Sequence, residues 1–219
     1  MKKNEFTAKV LLEELIERYP ALEVCQNSFE IVFQHLLECF RNGKKLLCAG
    51  NGGSAADCEH IAGELLKSFR INRPVSRTLN RNLENLFGDE GAYLAARLEG
   101  GLPVIPLTSM SAINTAYAND VDSTAVFAQL VHSLGQAGDV FLGITTSGNS
   151  KNILFALMAA KAQGMTTICL TGRSGGQCKI LSDICICAPE DETFKIQELH
   201  LPIYHTLCSM LEAELFQHC

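Results

Sequence analysis

No apolar run in this chain of 219 residues exceeds strand length, because each is broken by Gly, Ser or a charge. A membrane-spanning helix needs about 20 consecutive apolar residues, so no span is expected. The start, Met1-Lys2-Lys3-Asn4-Glu5, leads into an amphipathic pattern and not into the apolar stretch of a secretory signal. Basic clusters are also scarce. The formal net charge is −6, and no Lys/Arg run is longer than a pair such as Lys44-Lys45. Nucleic-acid binding leaves a basic stripe in a sequence, so nucleic acid is not expected as a direct ligand. There is no internal repeat, no low-complexity linker and no CxxC pair.

What is present fits one domain with a helical arm. Hydrophobic residues make up 47% of the chain, enough for a sizeable core. Ten cysteines are scattered through it. Cys25, Cys39, Cys48, Cys58, Cys169 and Cys208 mostly sit in apolar patterns, where a thiol packs as a small hydrophobe. They read as reduced core thiols of a cytoplasmic protein. Cys185-x-Cys187 resembles half a metal site, but alternate positions on a strand Asp183 to Ala188 explain it more simply.

The first 42 residues read as two helices broken at Pro20, with apolar residues at helical spacing through Val10, Leu11, Leu15 and through Ile31, Leu36, Leu37, Phe40. A first strand is expected at Lys44 to Ala49, and others near Pro103 to Leu107, Asp139 to Ile144, Thr166 to Leu170 and Asp183 to Ala188. Helices are expected near Ser54 to Phe69, Ser123 to Leu134, Ser150 to Ala162 and Phe194 to Phe216. Continuous apolar strands separated by helices indicate a parallel sheet covered on both faces. Ligands of such sheets bind beyond the carboxyl ends of the strands. Residues 75–102 interrupt the alternation. Leu79, Leu83, Leu86, Leu94 and Leu98 give them partial helical periodicity, so they read as a helical insertion, a lid, an oligomer contact or a plain surface helix pair.

Two loops carry most of the chemical signal. Gly50-Asn51-Gly52-Gly53-Ser54-Ala55-Ala56 follows a strand and opens a helix. Its glycines allow close approach to an anion, and the helix N-terminus supplies free N–H groups. Thr145-Thr146-Ser147-Gly148-Asn149-Ser150 also lies between a strand and a helix, and its hydroxyls and amide suit a polyanionic, hydroxylated ligand. Ser150 is in place to cap the following helix, but a cap does not require the preceding Thr-Thr-Ser. Together the loops point to a small sugar phosphate. His60 and Glu64 are four apart, so they share a helix face. Gln197 and His205 are eight apart on the last helix and share one too. Such a set binds a divalent metal or does acid–base work. His35, His132, His200 and His218 read as structural. Gly172-Arg173-Ser174-Gly175-Gly176 matches the hydrolase pattern G-x-S-x-G, with Asp183 and His205 following in order, but no good helix follows the serine.

The stretches CAGNGGSAADCEHIAGEL, NTAYANDVD, GDVFLGITTSGNSKNI, GMTTICLTGRSGG and KIQELHLPIYHTLC resemble the sugar isomerase (SIS) domain family, and within it the phosphoheptose isomerases. The resemblance runs from about residue 44 to the C-terminus, outside 75–102. It implies a single SIS domain over 1–219, a three-layer α/β/α sandwich with a five-stranded parallel, flavodoxin-like sheet plus N-terminal helices at 1–42. It implies a homotetramer in which those helices and the last helix form the bundle between subunits. By resemblance, Asn51, Gly52, Gly53 and Ser54 contact the sugar, Asn119 and Asp120 line the site, and Thr145, Thr146, Ser147 and Ser150 cradle the phosphate. His60, Glu64, Gln197 and His205 match a zinc site, Gln197 also facing substrate, with Glu64 and His205 as the acid–base pair. The implied activity is aldose–ketose isomerisation of sedoheptulose 7-phosphate through an enediolate.

The chain departs from the family pattern in four places. Phe194 stands where an acid is usual, Lys195 where an arginine is usual, an acid expected near Ser109-Met110 is missing, and the connection at 75–102 is long. The family also contains non-catalytic members. One kind binds sugar phosphate as a sensor, and another associates with the initiator of chromosomal replication. The zinc-site residues alone do not separate these classes.

Overall fold

The apolar runs form strands buried on both faces, and the side-chain alternation of a strand divides them between two cores. In β1 (Leu46–Gly50), Leu46 and Cys48 enter one core while Leu47 and Ala49 enter the other. The computed structural model describes residues 6–217, so His218 and Cys219 lie outside the described residues. β1 is joined by β2 (Val104–Pro106), β3 (Val140–Ile144), β4 (Thr166–Thr171) and β5 (Ile184–Cys187) in one sheet of order β2-β1-β3-β4-β5. Every pairing is parallel. This is the flavodoxin-like order, whose switch point lies between β1 and β3. The buried carboxylate of Asp139 accepts from the Lys45 backbone N–H and from Lys45 Nζ (2.6 Å), fixing where β3 meets β1.

One layer holds α1 (Ala8–Arg18), α2 (Gln26–Arg41), α3 (Gly53–Leu66) and α9 (Thr193–Phe216). The other holds α6 (Val126–Leu134), α7 (Lys151–Ala162) and the short α8 (Cys178–Leu181). The leading arm is two helices, as expected, joined by a 3₁₀ segment that begins at Pro20. Residues 75–102 are helical too. α4 (Arg77–Ala95) bends at Gly88 and leaves Leu86, Phe87 and Tyr93 exposed. The excursion leaves and returns at one point, where Gly100 N–H donates to Arg73 O (2.6 Å) and Pro74 bridges Glu99. Between β2 and α6 the structure adds α5 (Ser111–Tyr117) and a π-turn (Ala118–Asp122) that the sequence pattern did not show. Nine described cysteines are free and seven of them buried. Among the described residues no helix is long and apolar enough to cross a membrane.

Candidate active site

Both glycine- and hydroxyl-bearing loops open at the carboxyl ends of β1 and β3, the neighbouring strands at the switch point. After β1, Ser54 N–H bonds Asn51 O and Ala55 N–H bonds Gly52 O, which turns the chain straight into α3. Gly53 has a specific reason to be glycine. A Cβ there would stand 2.5 Å from Gln197 Nε2, so the α9 amide lies directly on the turn. After β3, Thr145 Oγ1 and Ser150 Oγ are 3.0 Å apart. Ser150 therefore does not cap α7 with its side chain, which leaves the N-terminal N–H groups of that helix without a side-chain acceptor. Such a terminus attracts anions. Gly148 adopts φ +66°, and a Cβ there would lie 2.1 Å from Gly175 O. Ser147 and Asn149 at the tip are exposed, and Thr146 and Ser150 are half-buried. A residue the sequence reading did not single out ties the two loops together. Asn51 Nδ2 donates to Asn152 Oδ1 (3.1 Å), and Asn152 Nδ2 donates back to Asn51 Oδ1 (2.9 Å).

Deeper along α3, His60 and Glu64 meet His205 of α9. His60 Nε2 lies 3.1 Å from Glu64 Oε1 and 3.3 Å from His205 Nε2, and the three ligand atoms fall within 4.8 Å of one another. Burial pushes the pKa of His205 down, the neighbouring His60 adds to this, and Glu64 opposes it. The Glu64 side chain is only 15% exposed. Behind them stands a second row that the sequence reading also missed. Tyr204 O–H donates to Asp57 Oδ1 (3.2 Å), and the Tyr204 oxygen lies 3.0 Å from His60 Nδ1. With the Tyr204 proton given to Asp57, the Tyr204 oxygen can accept from His60 Nδ1, and in that tautomer Nε2 is the lone-pair nitrogen that faces Glu64 and His205. Burial raises the pKa of Asp57, with Tyr204 and His60 opposing it.

The His60 nitrogen, a carboxylate oxygen at 3.1 Å and the His205 nitrogen at 3.3 Å are three ligand atoms gathered at one point. A cation satisfies that arrangement, and His/His/Glu with further room is a usual donor set for catalytic zinc. The outer partner on His60 Nδ1 is the kind that orients a metal-binding imidazole. The residues therefore fit a divalent metal.

A buried ion pair holds the two helices that carry this set. Arg73 Nε lies 2.7 Å from Glu212 Oε1, and both side chains are wholly buried. Arg73 also donates to the carbonyls of Leu65 and Glu64, while Glu212 accepts from the N–H groups of Phe69, Arg70 and Ile71. The end of α3 is thereby fastened to α9.

Other candidates stand apart from the cluster. Asn119 and Asp120 lie on the exposed π-turn, where Asn119 Nδ2 donates to Asp120 Oδ1. Among the described residues no hydrogen bond joins them to the loops or to His60. The hydrolase-like triad does not assemble: Asp183 bonds Thr167 and Lys161, and His205 faces His60. His200 is fully buried, with Nε2 3.2 Å from Thr171 O, and burial lowers its pKa to about 4. Phe194 is 55% exposed. Where an acid near Ser109 was missing, Glu59 reaches across from α3 and accepts from Ser109 Oγ (3.0 Å).

The comparisons with known proteins agree with this geometry. A SIS domain family model matches residues 80–172. A phosphoheptose isomerase of Sulfurimonas denitrificans is 38% identical over 190 residues, 87% of this chain and 84% of the relative. The solved phosphoheptose isomerase of Neisseria gonorrhoeae is 32% identical with a TM-score of 0.70, covering 91% of this chain and 94% of its own. That of Francisella tularensis is 31% identical with a TM-score of 0.73, covering 91% and 93%. With the parallel sheet, the paired loops and the His60-Glu64-His205 cluster in place, this chain belongs to the phosphoheptose isomerase family of SIS-domain proteins.

Proposed function

We propose that the chain is an aldose–ketose isomerase that converts sedoheptulose 7-phosphate to the aldose heptose 7-phosphate by proton transfer through an enediolate. The convergence of a carboxylate and an imidazole, Glu64 and His205, behind the sugar-facing turn carries this reading. Moving a carbonyl between C1 and C2 takes a proton from one carbon and returns one to the other, and a proton must also pass between the two oxygens. Glu64, mostly withdrawn from water, serves the carbons. His205, kept neutral by burial, accepts and returns the oxygen proton. Asn51, Gly52, Gly53, Ser54 and Gln197 hold the sugar end, with Asn119 and Asp120 on its outer side. Thr145, Thr146, Ser147 and Ser150 hold the phosphate at the α7 N-terminus.

His60, Glu64, Gln197 and His205 would hold a zinc ion, which when bound stabilises negative charge developing on the sugar oxygens. His60 contributes orientation through the Tyr204 and Asp57 contacts. The working form is a cytoplasmic homotetramer. In its support, α4 leaves Leu86, Phe87 and Tyr93 exposed. An open groove of about 1180 Å³ runs between α1, α2 and α9, with Leu12, Ile16 and Ile31 in its lining.

The test is turnover of sedoheptulose 7-phosphate with and without zinc. Turnover that chelation abolishes and added zinc restores is the expected result. No turnover, with sugar phosphate still raising the melting temperature, would make the protein a binding scaffold.

A further inference from the structure

Cys185 and Cys187 take no part in the site above, yet they are the two described cysteines not fully buried. Residues two apart on a strand point to the same side, and here the Sγ atoms are 3.6 Å apart. Two strand residues span about 6.6 Å between Cα atoms, at the upper end of the roughly 4.4–6.8 Å that a disulfide bridges. Closing the bond also draws the Cβ atoms to about 3.5–4.5 Å, a local contraction of the strand, and the position of β5 at the sheet edge is where such a change disturbs fewest ladder bonds. β5 is an edge strand of four residues that, among the described residues, pairs only with β4. Thr171 Oγ1, on the facing strand, lies 3.4 Å from Cys185 Sγ and 3.5 Å from Cys187 Sγ.

The two sulfurs are not equivalent. The hydrogen bond from Cys185 favours the Cys187 thiolate, Thr171 and the Lys179 charge add to this, and burial opposes it. The same bond keeps Cys185 protonated, with burial adding to it. One thiol is thus ready as a nucleophile and the other holds a proton.

The pair also lies beneath the loop that braces residues 145–150. Thr171 is in register with Cys187. Directly after it, Gly172 N–H donates to Thr146 O (3.0 Å). Gln177 N–H donates to Asn149 Oδ1 (3.0 Å) and Cys178 N–H to Gly148 O (2.9 Å). A Cβ on Gly175 would lie 3.1 Å from Cys187 Sγ. Movement of Cys187 therefore reaches this loop directly.

We propose that Cys185 and Cys187 form a modification site, a dithiol that hydrogen peroxide oxidises to an intrastrand disulfide, and that closing it loosens residues 172–178 from residues 145–150. The Cys187 thiolate attacks one peroxide oxygen, the O–O bond breaks, and the leaving oxygen departs as water after protonation. Cys187 becomes a sulfenic acid. The Cys185 sulfur then attacks it, the S–S bond forms, the S–O bond breaks, and the Cys185 proton leaves in a second water. Two thiols lose two electrons and one peroxide becomes two waters. A small thiol reverses the bond by exchange. Only the consequence for ligand binding rests on reading 145–150 as the phosphate loop, so the test uses ligand-free protein.

The experiment treats the full chain with hydrogen peroxide, blocks free thiols, maps disulfides by mass spectrometry, and follows amide hydrogen exchange across 172–178. The expected result is a Cys185–Cys187 disulfide that dithiothreitol reverses, with exchange several-fold faster at Gly172, Gln177 and Cys178. Cys187→Ser should show neither change. Free thiols at both positions, Cys187 joined to Cys25, or Cys187 oxidised alone would overturn the site. A mapped disulfide with unchanged exchange would overturn the coupling.

Discussion

His60 has two ring nitrogens and two kinds of neighbour, and its role depends on which nitrogen faces Glu64. The hydroxyl of Tyr204, held by Asp57, takes the Nδ1 side and leaves Nε2 toward Glu64 and His205. Tyr204→Phe removes that acceptor and strips Asp57 of its donor while the ring still fills its place. Loss of such an outer partner typically costs about 10–100-fold in metal affinity or activity. Zinc titration and turnover should both fall by that order with the melting temperature little changed. Unchanged zinc affinity would detach Tyr204 from the site. At this scale the helical spacings of His60 with Glu64 and of Gln197 with His205 were legible, because a helix puts such residues on one face. Tyr204 was not. It sits beside Ile203 and reads as core, and its partner Asp57 is 147 residues away. Glu59 and Asn152 were missed for the same reason, since their partners Ser109 and Asn51 lie 50 and 101 residues away.

Whole elements were easier to read than single contacts. Parallel strands buried on both faces are continuous apolar runs, so all five appeared in the sequence within a few residues of their ends. The loops after β1 and β3 were marked by glycines and hydroxyls at helix starts. α5 was invisible because it buries no residue, which leaves no apolar period to detect. The contact that fastens α3 to α9 was invisible too, because Arg73 and Glu212 pair across 139 residues. Arg73→Ala leaves the Glu212 carboxylate buried and unpaired. Breaking a buried pair from one side costs roughly 3–5 kcal/mol, and chemical denaturation should show a loss of that order. Replacing both partners together, as Arg73→Met with Glu212→Leu, should recover most of it. A single variant as stable as wild type would mean that water reaches Glu212.

For the whole molecule, strand order decides where chemistry sits. The chain moves from β1 outward to β2 and then back across to β3, so the loops after β1 and β3 diverge and open a crevice. The Asn51–Asn152 amide pair spans its mouth, and the His60 cluster lies along α3. The exposed apolar residues of α4 and the groove beside α1 and α2 are the surfaces that the proposed tetramer would cover. Light scattering should give a mass four times that of the chain. A monomer mass would remove the tetramer.

The most direct measurement of the central claim compares formation of the aldose 7-phosphate from sedoheptulose 7-phosphate by the wild type and by Glu64→Gln, both with zinc in excess. A positioned acid or base contributes typically 10²–10⁴-fold to rate. The account predicts turnover by the wild type, and a folded variant that sugar phosphate stabilises equally but that is slower by about that factor. A Glu64→Gln protein as fast as the wild type, or a wild type that binds the ketose and never converts it, would contradict it.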